Sequence, residues 1–147
     1  MSLELEILDL LRDVDEDFQP ALSCKLNLVE YARKLSINAT IFSIYENGKI
    51  IAITAVYCND LNGVRAYIPL IAIRGSHRRL GFGSQLLKSV VQYLSSKEFT
   101  LLTLEVYKSN NAALNFYQEF GFSIESKTER SVFLGLPIKK NQGLECG

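Results

Sequence analysis

The stretch "VRAYIPLIAIRGSHRRLGFGSQLLKSVVQYL", residues 64 to 94, constrains the fold more than any other part of the chain. An apolar run rich in β-branched and aromatic residues gives way to Gly81 and Gly83. Phe82, Leu86, Leu87, Val90, Val91 and Leu94 then recur at helical spacing. Strand, glycine loop, helix is the order, and a chain so built is α/β. Pro69 removes one ladder donor and predicts a bulge or irregularity in the strand. At the head of the helix the backbone N–H groups are unpaired and carry partial positive charge, so an anion is held there without special side chains. Gly81 and Gly83 lack a Cβ, which lets the amides from Leu80 to Ser84 converge on one pyrophosphate, with Arg78 and Arg79 adding charge. The alternative is a tight turn flanked by solvated arginines, and the loop alone does not separate the two. No third glycine follows on the helix and no Lys-Ser/Thr follows Gly83, which disfavours both the dinucleotide fingerprint and the P-loop.

Around this unit the chain reads as further strands and helices. "LELEIL" alternates apolar and acidic positions while "EILDLLRDV" also fits a helical period, and of the two the short first strand is the reading taken; "NLVEYARKL" is read as a helix behind Asn27 with Leu28, Tyr31, Ala32 and Leu35 on one face. "TIFSIYENGKIIAITAVYC" is a hairpin of strands two and three around Asn47-Gly48. "TLLTLEVY" follows as a strand, "NNAALNFYQEF" as a helix stopped by Gly121, and "FSIES" and "SVFLGL" as closing strands. With 147 residues, 48% hydrophobic content and no linker or repeat, residues 1 to 147 are expected to form one domain, with a flexible tail from about residue 137. Lys plus Arg equals Asp plus Glu at 16 each, which gives no general attraction to nucleic acid or an acidic membrane. Cys24, Cys58 and Cys146 form no disulfide framework, and His77 is the lone histidine, so no metal site is expected. These features suit a cytoplasmic protein.

Arg78, Gly81 and Gly83 match position for position the R/Q-x-x-G-x-G/A signature of the GNAT superfamily of N-acetyltransferases, and Leu86-Leu87 follow as they commonly do there. Asn110, Ala113, Phe116, Tyr117, Gly121 and Phe122 fill a second pattern of that family, N-x-x-A-x-x-L/F-Y-x-x-x-G-F. The chain therefore resembles the GNAT superfamily over roughly residues 40 to 136, with two departures: Gly75 where proline is common and Arg79 where glycine is common. The resemblance implies a single GNAT-like domain: a mixed, mostly antiparallel central sheet, splayed between strands four and five and flanked by helices. It implies acetyl-CoA as cosubstrate, its phosphates at Arg78, Arg79, Leu80, Gly81, Phe82, Gly83 and Ser84 and its pantetheine along Ile71, Ala72 and Ile73. It also implies that Asn110 contacts the cofactor and that Tyr117 both lies at the thioester sulfur and protonates the departing thiolate.

Transfer to an amine needs a proton acceptor for the amine, donors for the oxyanion and a proton for the leaving thiolate. A tyrosine, with an ordinary pKa of about 10, is neutral at pH 7 and holds such a proton. The strand before the glycine loop carries no carboxylate, whereas "LEVYKSNNAALNFY" resembles the branch that includes the ribosomal-protein alanine N-acetyltransferases. That resemblance makes Glu105 the candidate base, with Tyr67 acting through ordered water as the other route. Phe116 and Phe120 read as core. The acceptor is expected to be a small-molecule primary amine, the alternatives being a peptide or protein N-terminus and a non-catalytic acetyl-CoA-binding module. Asp13, Asp15, Glu16 and Asp17 are candidates for attracting a cationic amine. A monomer or homodimer is expected.

Overall fold

The computed structural model describes residues 2–140. Helices Leu3–Val14 (α1) and Leu28–Asn38 (α2) lead into strands Thr40–Glu46 (β1) and Lys49–Tyr57 (β2), and then Arg65–Ile73 (β3) and helix Phe82–Ser96 (α3). Strand Leu101–Tyr107 (β4), helix Asn111–Phe120 (α4) and strands Ser123–Lys127 (β5) and Ser131–Pro137 (β6) complete the order. The strands form a six-stranded sheet ordered β1-β2-β3-β4-β6-β5. β1 with β2, β4 with β6 and β5 with β6 pair antiparallel, and β3 with β4 pairs parallel. This is the mixed, mostly antiparallel α/β architecture expected. The expected flexible tail falls mostly on residues 141–147, which lie outside the described residues.

The N-terminal strand does not form. Alternation would bury Leu3 and Leu5, yet these are 37% and 51% exposed, while Ile7, Leu10, Leu11 and Val14 are buried at helical spacing. Ser2 caps α1 by accepting from the Leu5 amide at 3.3 Å, and Glu4 and Glu6 lie in the first turn, where the helix dipole favours them. The period of the later residues therefore overrides the local alternation. Asn27 caps α2 in the same way, accepting from the Glu30 amide at 3.1 Å.

Two compact units divide the chain, and their boundary on β3 falls between Pro69 and Leu70. The first runs to Val56 and resumes over Leu70–Leu87; the second takes Tyr57–Pro69 and the chain from Lys88 on. The β3–β4 ladder runs from Arg65↔Leu101 to Ile68↔Leu104 and ends one residue before Pro69, which has no N–H to offer. It thus gives out between the third and fourth strands. The expectation of strands four and five counted an N-terminal strand that is a helix.

In the first unit α1 packs on α2, and Ile7, Leu10, Leu11, Ala32 and Leu35 are fully buried with Ile50, Ile53 and Val56 of β2. Thr54 is buried among them, and its hydroxyl is satisfied by the Leu70 carbonyl at 3.0 Å. Asn47 (φ 53) and Gly48 (φ 78) are both left-handed, the backbone a two-residue hairpin turn requires. In the second unit Leu102, Leu104 and Val106 of β4 are buried with Val132 and Leu134 of β6, while Thr103, Glu105 and Tyr107 alternate to the other face.

Candidate functional site

In the first unit, β3 delivers the chain to the glycine loop. Arg79 (φ 64) and Gly81 (φ 86) are left-handed, and the Gly81 carbonyl accepts from the Gln85 amide at 3.1 Å, which starts α3. The amides of Phe82, Gly83 and Ser84 therefore occupy the first turn, where a helix supplies no partner of its own. A Cβ built at Gly81 meets nothing within 4 Å, so glycine is needed there for its backbone angle, and the space beside it is open. Arg79, Leu80 and Gly81 are exposed and Gly83 is buried. An anionic group fits this cradle: an open approach, a helix N-terminus and an exposed arginine beside it.

Arg78 is differently placed. Its guanidinium bonds the Asp17 carboxylate, and its Nε donates to the Ile73 carbonyl at 3.2 Å. Of the three strand residues expected to hold the pantetheine, Ile71 and Ile73 are half-buried and Ala72 is buried, and the Ile73 carbonyl is the one already engaged. His77 lies with Nε2 2.9 Å from Glu46 Oε1 and Nδ1 2.7 Å from Ser76 Oγ, held as a connector to the β1–β2 turn.

The acidic segment after α1 is largely consumed by the protein itself. Asp13 pairs with Arg74 at 3.0 Å and Asp17 with Arg78. Asp15 accepts from the hydroxyl of Ser23 at 2.6 Å and from its amide at 2.7 Å, and those bonds hold its carboxyl below the usual range. Arg74 is a residue that sequence reasoning missed. Its side chain is 11% exposed, bonds Asp9 at 2.8 Å as well as Asp13, and donates Nε to the Ile50 carbonyl at 2.7 Å. Partners 61 and 65 positions away leave no sequence signal. A cavity of about 590 Å³ beside this clasp is lined by Asp9, Asp13, Glu46, Lys49, Arg74 and His77 among others; Asp13, a candidate for attracting a cationic amine, reaches it, and none of the predicted cofactor-binding or catalytic residues does.

The second unit carries Glu105, Asn110 and Tyr117. Asn110 is exposed and caps α4, its Oδ1 accepting from the Ala113 amide at 3.1 Å. Tyr117 is the buried residue of that helix at 6% exposure, whereas Phe116 and Phe120, read as core, are half-buried. Its ring meets Phe116 and Phe122 edge-on, with centroids 5.2 and 5.5 Å away. Burial pushes the phenol well above its ordinary range, so the proton stays on. The described residues give this hydroxyl no hydrogen bond, and no buried side-chain oxygen among them is left unpaired.

Glu105 is exposed on β4, and one oxygen, Oε2, accepts from Ser131 Oγ at 2.5 Å. Tyr67 pairs in register with Thr103, two residues before Glu105 and on the same face of the sheet. The Tyr67 phenol is pushed up first by burial, then by the charge of Glu105 and by Tyr57. The structure thus brings Tyr67 and Glu105 within electrostatic reach of each other, an association absent from any local motif. Among the described residues, no group of three His, Cys, Asp or Glu side chains is arranged to hold a metal, and no helix is long and apolar enough to cross a membrane.

A mixed sheet whose third strand opens into a left-handed glycine turn at a helix N-terminus defines an α/β protein with a ready anion cradle. Residues 7–122 match the model of the acetyltransferase (GNAT) family, and the chain belongs to that family. It is 37% identical over 78 residues to N-alpha-acetyltransferase 50 of Danio rerio, across 50% of this chain and 46% of that relative. To the ribosomal protein bS18-alanine N-acetyltransferase of Escherichia coli (strain K12) it is 33% identical over 84 residues, across 56% and 53% of the two chains. The matched segment spans about half the length of these curated relatives. A crystal structure of a GNAT family acetyltransferase from Elizabethkingia anophelis with acetyl-CoA bound shares the fold. Its TM-score is 0.64 at 20% identity, over 74% of this chain and 82% of that one.

Proposed function

We propose that the chain transfers the acetyl group of acetyl-CoA to a primary amine by direct attack. The observation that carries this is the left-handed Arg79–Gly81 turn opening α3, behind a strand whose pairing with β4 ends at Ile68, just before Pro69. Acetyl-CoA supplies the acetyl group as a thioester. The amides of Leu80 to Ser84 and the Arg79 side chain hold its phosphates, and the backbone of Ile71 to Ile73 holds its pantetheine. Asn110 Nδ2 remains available to the cofactor once Oδ1 is used as a cap. Arg78 has a different role from the direct charge read from sequence: bound to Asp17 and the Ile73 carbonyl, it ties the end of β3 to the N-terminal segment.

Glu105 takes the proton from the amine, with Tyr67 and ordered water as a relay beside it. Tyr117 presents its hydroxyl to the departing sulfur. A phenol held above its ordinary range transfers a full proton to a thiolate only uphill, at about 1.4 kcal/mol per pKa unit of mismatch. Tyr117 therefore acts chiefly as a hydrogen-bond donor that stabilises the developing thiolate charge.

The acceptor read from sequence is a small amine. Two observations favour the α-amino group of a peptide instead. Asp13 and Asp17 are paired with Arg74 and Arg78, which reduces the proposed lure for a small polycation. The relatives named above act, by their names, on α-amines and on a ribosomal protein. Replacing Tyr117 with Phe tests the reading, with turnover measured on a short peptide bearing a free N-terminal alanine and acetyl-CoA affinity measured by calorimetry. Turnover is expected to fall about a hundredfold with affinity within about twofold of wild type. Unchanged turnover removes Tyr117 from the mechanism.

A further inference from the structure

The hydroxyl of Ser131 donates to Glu105 Oε2 at 2.5 Å, and this bond belongs to no motif of the sequence. Ser131 is 3% exposed, one of the few buried polar residues, at the start of β6. In the antiparallel register Glu105 faces Phe133 and Tyr107 faces Ser131, so Ser131 stands diagonally across the ladder from Glu105 on the same face. Its own position is fixed at both ends. The Ser131 amide donates to Thr128 Oγ1 at 3.0 Å, the Thr128 amide donates to the Ser131 carbonyl at 2.9 Å, and the neighbouring Arg130 carbonyl accepts from the Lys108 amide at 2.8 Å.

A serine has one proton to donate, and here it is spent on the carboxylate. Glu105 is an exposed, flexible side chain with no cation bound to it among the described residues. Fixing Oε2 restricts its rotamer freedom and leaves Oε1, which takes no hydrogen bond from the described residues, to receive a proton. We infer that Ser131 is a positioning residue: through Thr128 and the β5–β6 turn it holds Glu105 in the orientation that receives the amine proton. The inference rests on the reading of Glu105 as base.

A double-mutant cycle separates the two. Turnover is measured on the alanine-terminated peptide, or on n-butylamine if that reacts faster, for wild type, Ser131→Ala, Ser131→Cys, Glu105→Gln and Glu105→Gln with Ser131→Ala. Cysteine keeps the branching of serine, with a somewhat larger atom that is only a weak donor, so it fills the site without the strong hydrogen bond, and it carries the test if the alanine variant does not fold. Expected are a roughly hundredfold loss in Glu105→Gln and a roughly tenfold loss of kcat in both Ser131 variants, with the KM for acetyl-CoA unchanged. The second substitution on the Glu105→Gln background is expected to cost nothing further. If Glu105→Gln loses activity while Ser131→Cys matches wild type, or if the Ser131 loss persists undiminished on Glu105→Gln, the positioning role is overturned and Glu105 stands. If Glu105→Gln is fully active, the base reading fails and takes the inference with it. No turnover by wild type on either acceptor overturns the proposed function itself.

Discussion

Arg79 sits at φ 64, a backbone region that a residue with a Cβ enters at a cost of about 1 kcal/mol. The GNAT pattern that the chain resembles commonly has glycine at this position, and the left-handed backbone is a physical reason for it. Strain of this kind survives where the side chain does something useful, and Arg79 is exposed beside the cradle while Arg78 is held by Asp17. Replacing Arg79 with Gly relieves the strain but adds chain entropy to the unfolded state, so the two effects nearly cancel. We expect a melting temperature within a few degrees of wild type, and acetyl-CoA affinity by calorimetry weaker by roughly tenfold with a smaller salt dependence. Lost stability with unaltered affinity assigns the arginine to structure instead. Tyr117 shows the limit of reading single residues. Its neighbours Phe116 and Phe120 look like core at helical spacing, yet one step along a helix turns the side chain by about 100°, and Tyr117 is the one that is buried.

At the scale of elements, the turn between β2 and β3 is organised by one carboxylate. Asp60 accepts from the amides of Arg65 at 2.9 Å, Val64 at 3.1 Å and Asn62 at 3.1 Å. The Arg65 amide first, then Asn62, holds its carboxyl below the usual range. A lowered folded pKa means that the unfolded chain takes up the proton first. This stabilisation is therefore complete above the ordinary aspartate pKa of about 3.9 and is lost as pH falls through the lower folded value. Asp15, lowered by Ser23, acts in the same direction. Urea midpoints are expected to be flat in this contribution down to about pH 5 and to fall below about pH 4, with a shallower fall for Asp60→Asn. An identical slope in that variant places the acid sensitivity elsewhere. Elements with local punctuation were legible in the sequence: the Asn47-Gly48 hairpin, the Asn27 cap and the Gly121 stop, where φ is 128. The first helix was legible only as an alternative, because the alternation from Leu3 to Ile7 competes with the helical period that Leu10, Leu11 and Val14 complete. The clasp of Arg74 and the bond from Ser131 to Glu105 were beyond reach, since each joins residues 26 or more positions apart.

For the molecule as a whole, the sequence motifs fall on both compact units. The first holds the glycine loop, and the second holds Glu105, Asn110 and Tyr117. A protein that merely bound acetyl-CoA has use for the loop but not for a protonated tyrosine packed among aromatic rings, or for a carboxylate fixed through one oxygen. The central claim is therefore that the chain moves the acetyl group of acetyl-CoA to an amine and does not merely bind the cofactor. Incubation with acetyl-CoA and an acceptor panel tests it most directly, with product identified by mass and free thiol counted in parallel. The panel contains peptides with free N-terminal alanine, serine and methionine, the same peptides with blocked N-termini, an amino sugar, an amino acid and a polyamine. The account predicts one acetyl group on the α-amine of an unblocked peptide, with an equal amount of free thiol. Acetyl-CoA that binds while no acceptor in the panel becomes acetylated is the result that contradicts it.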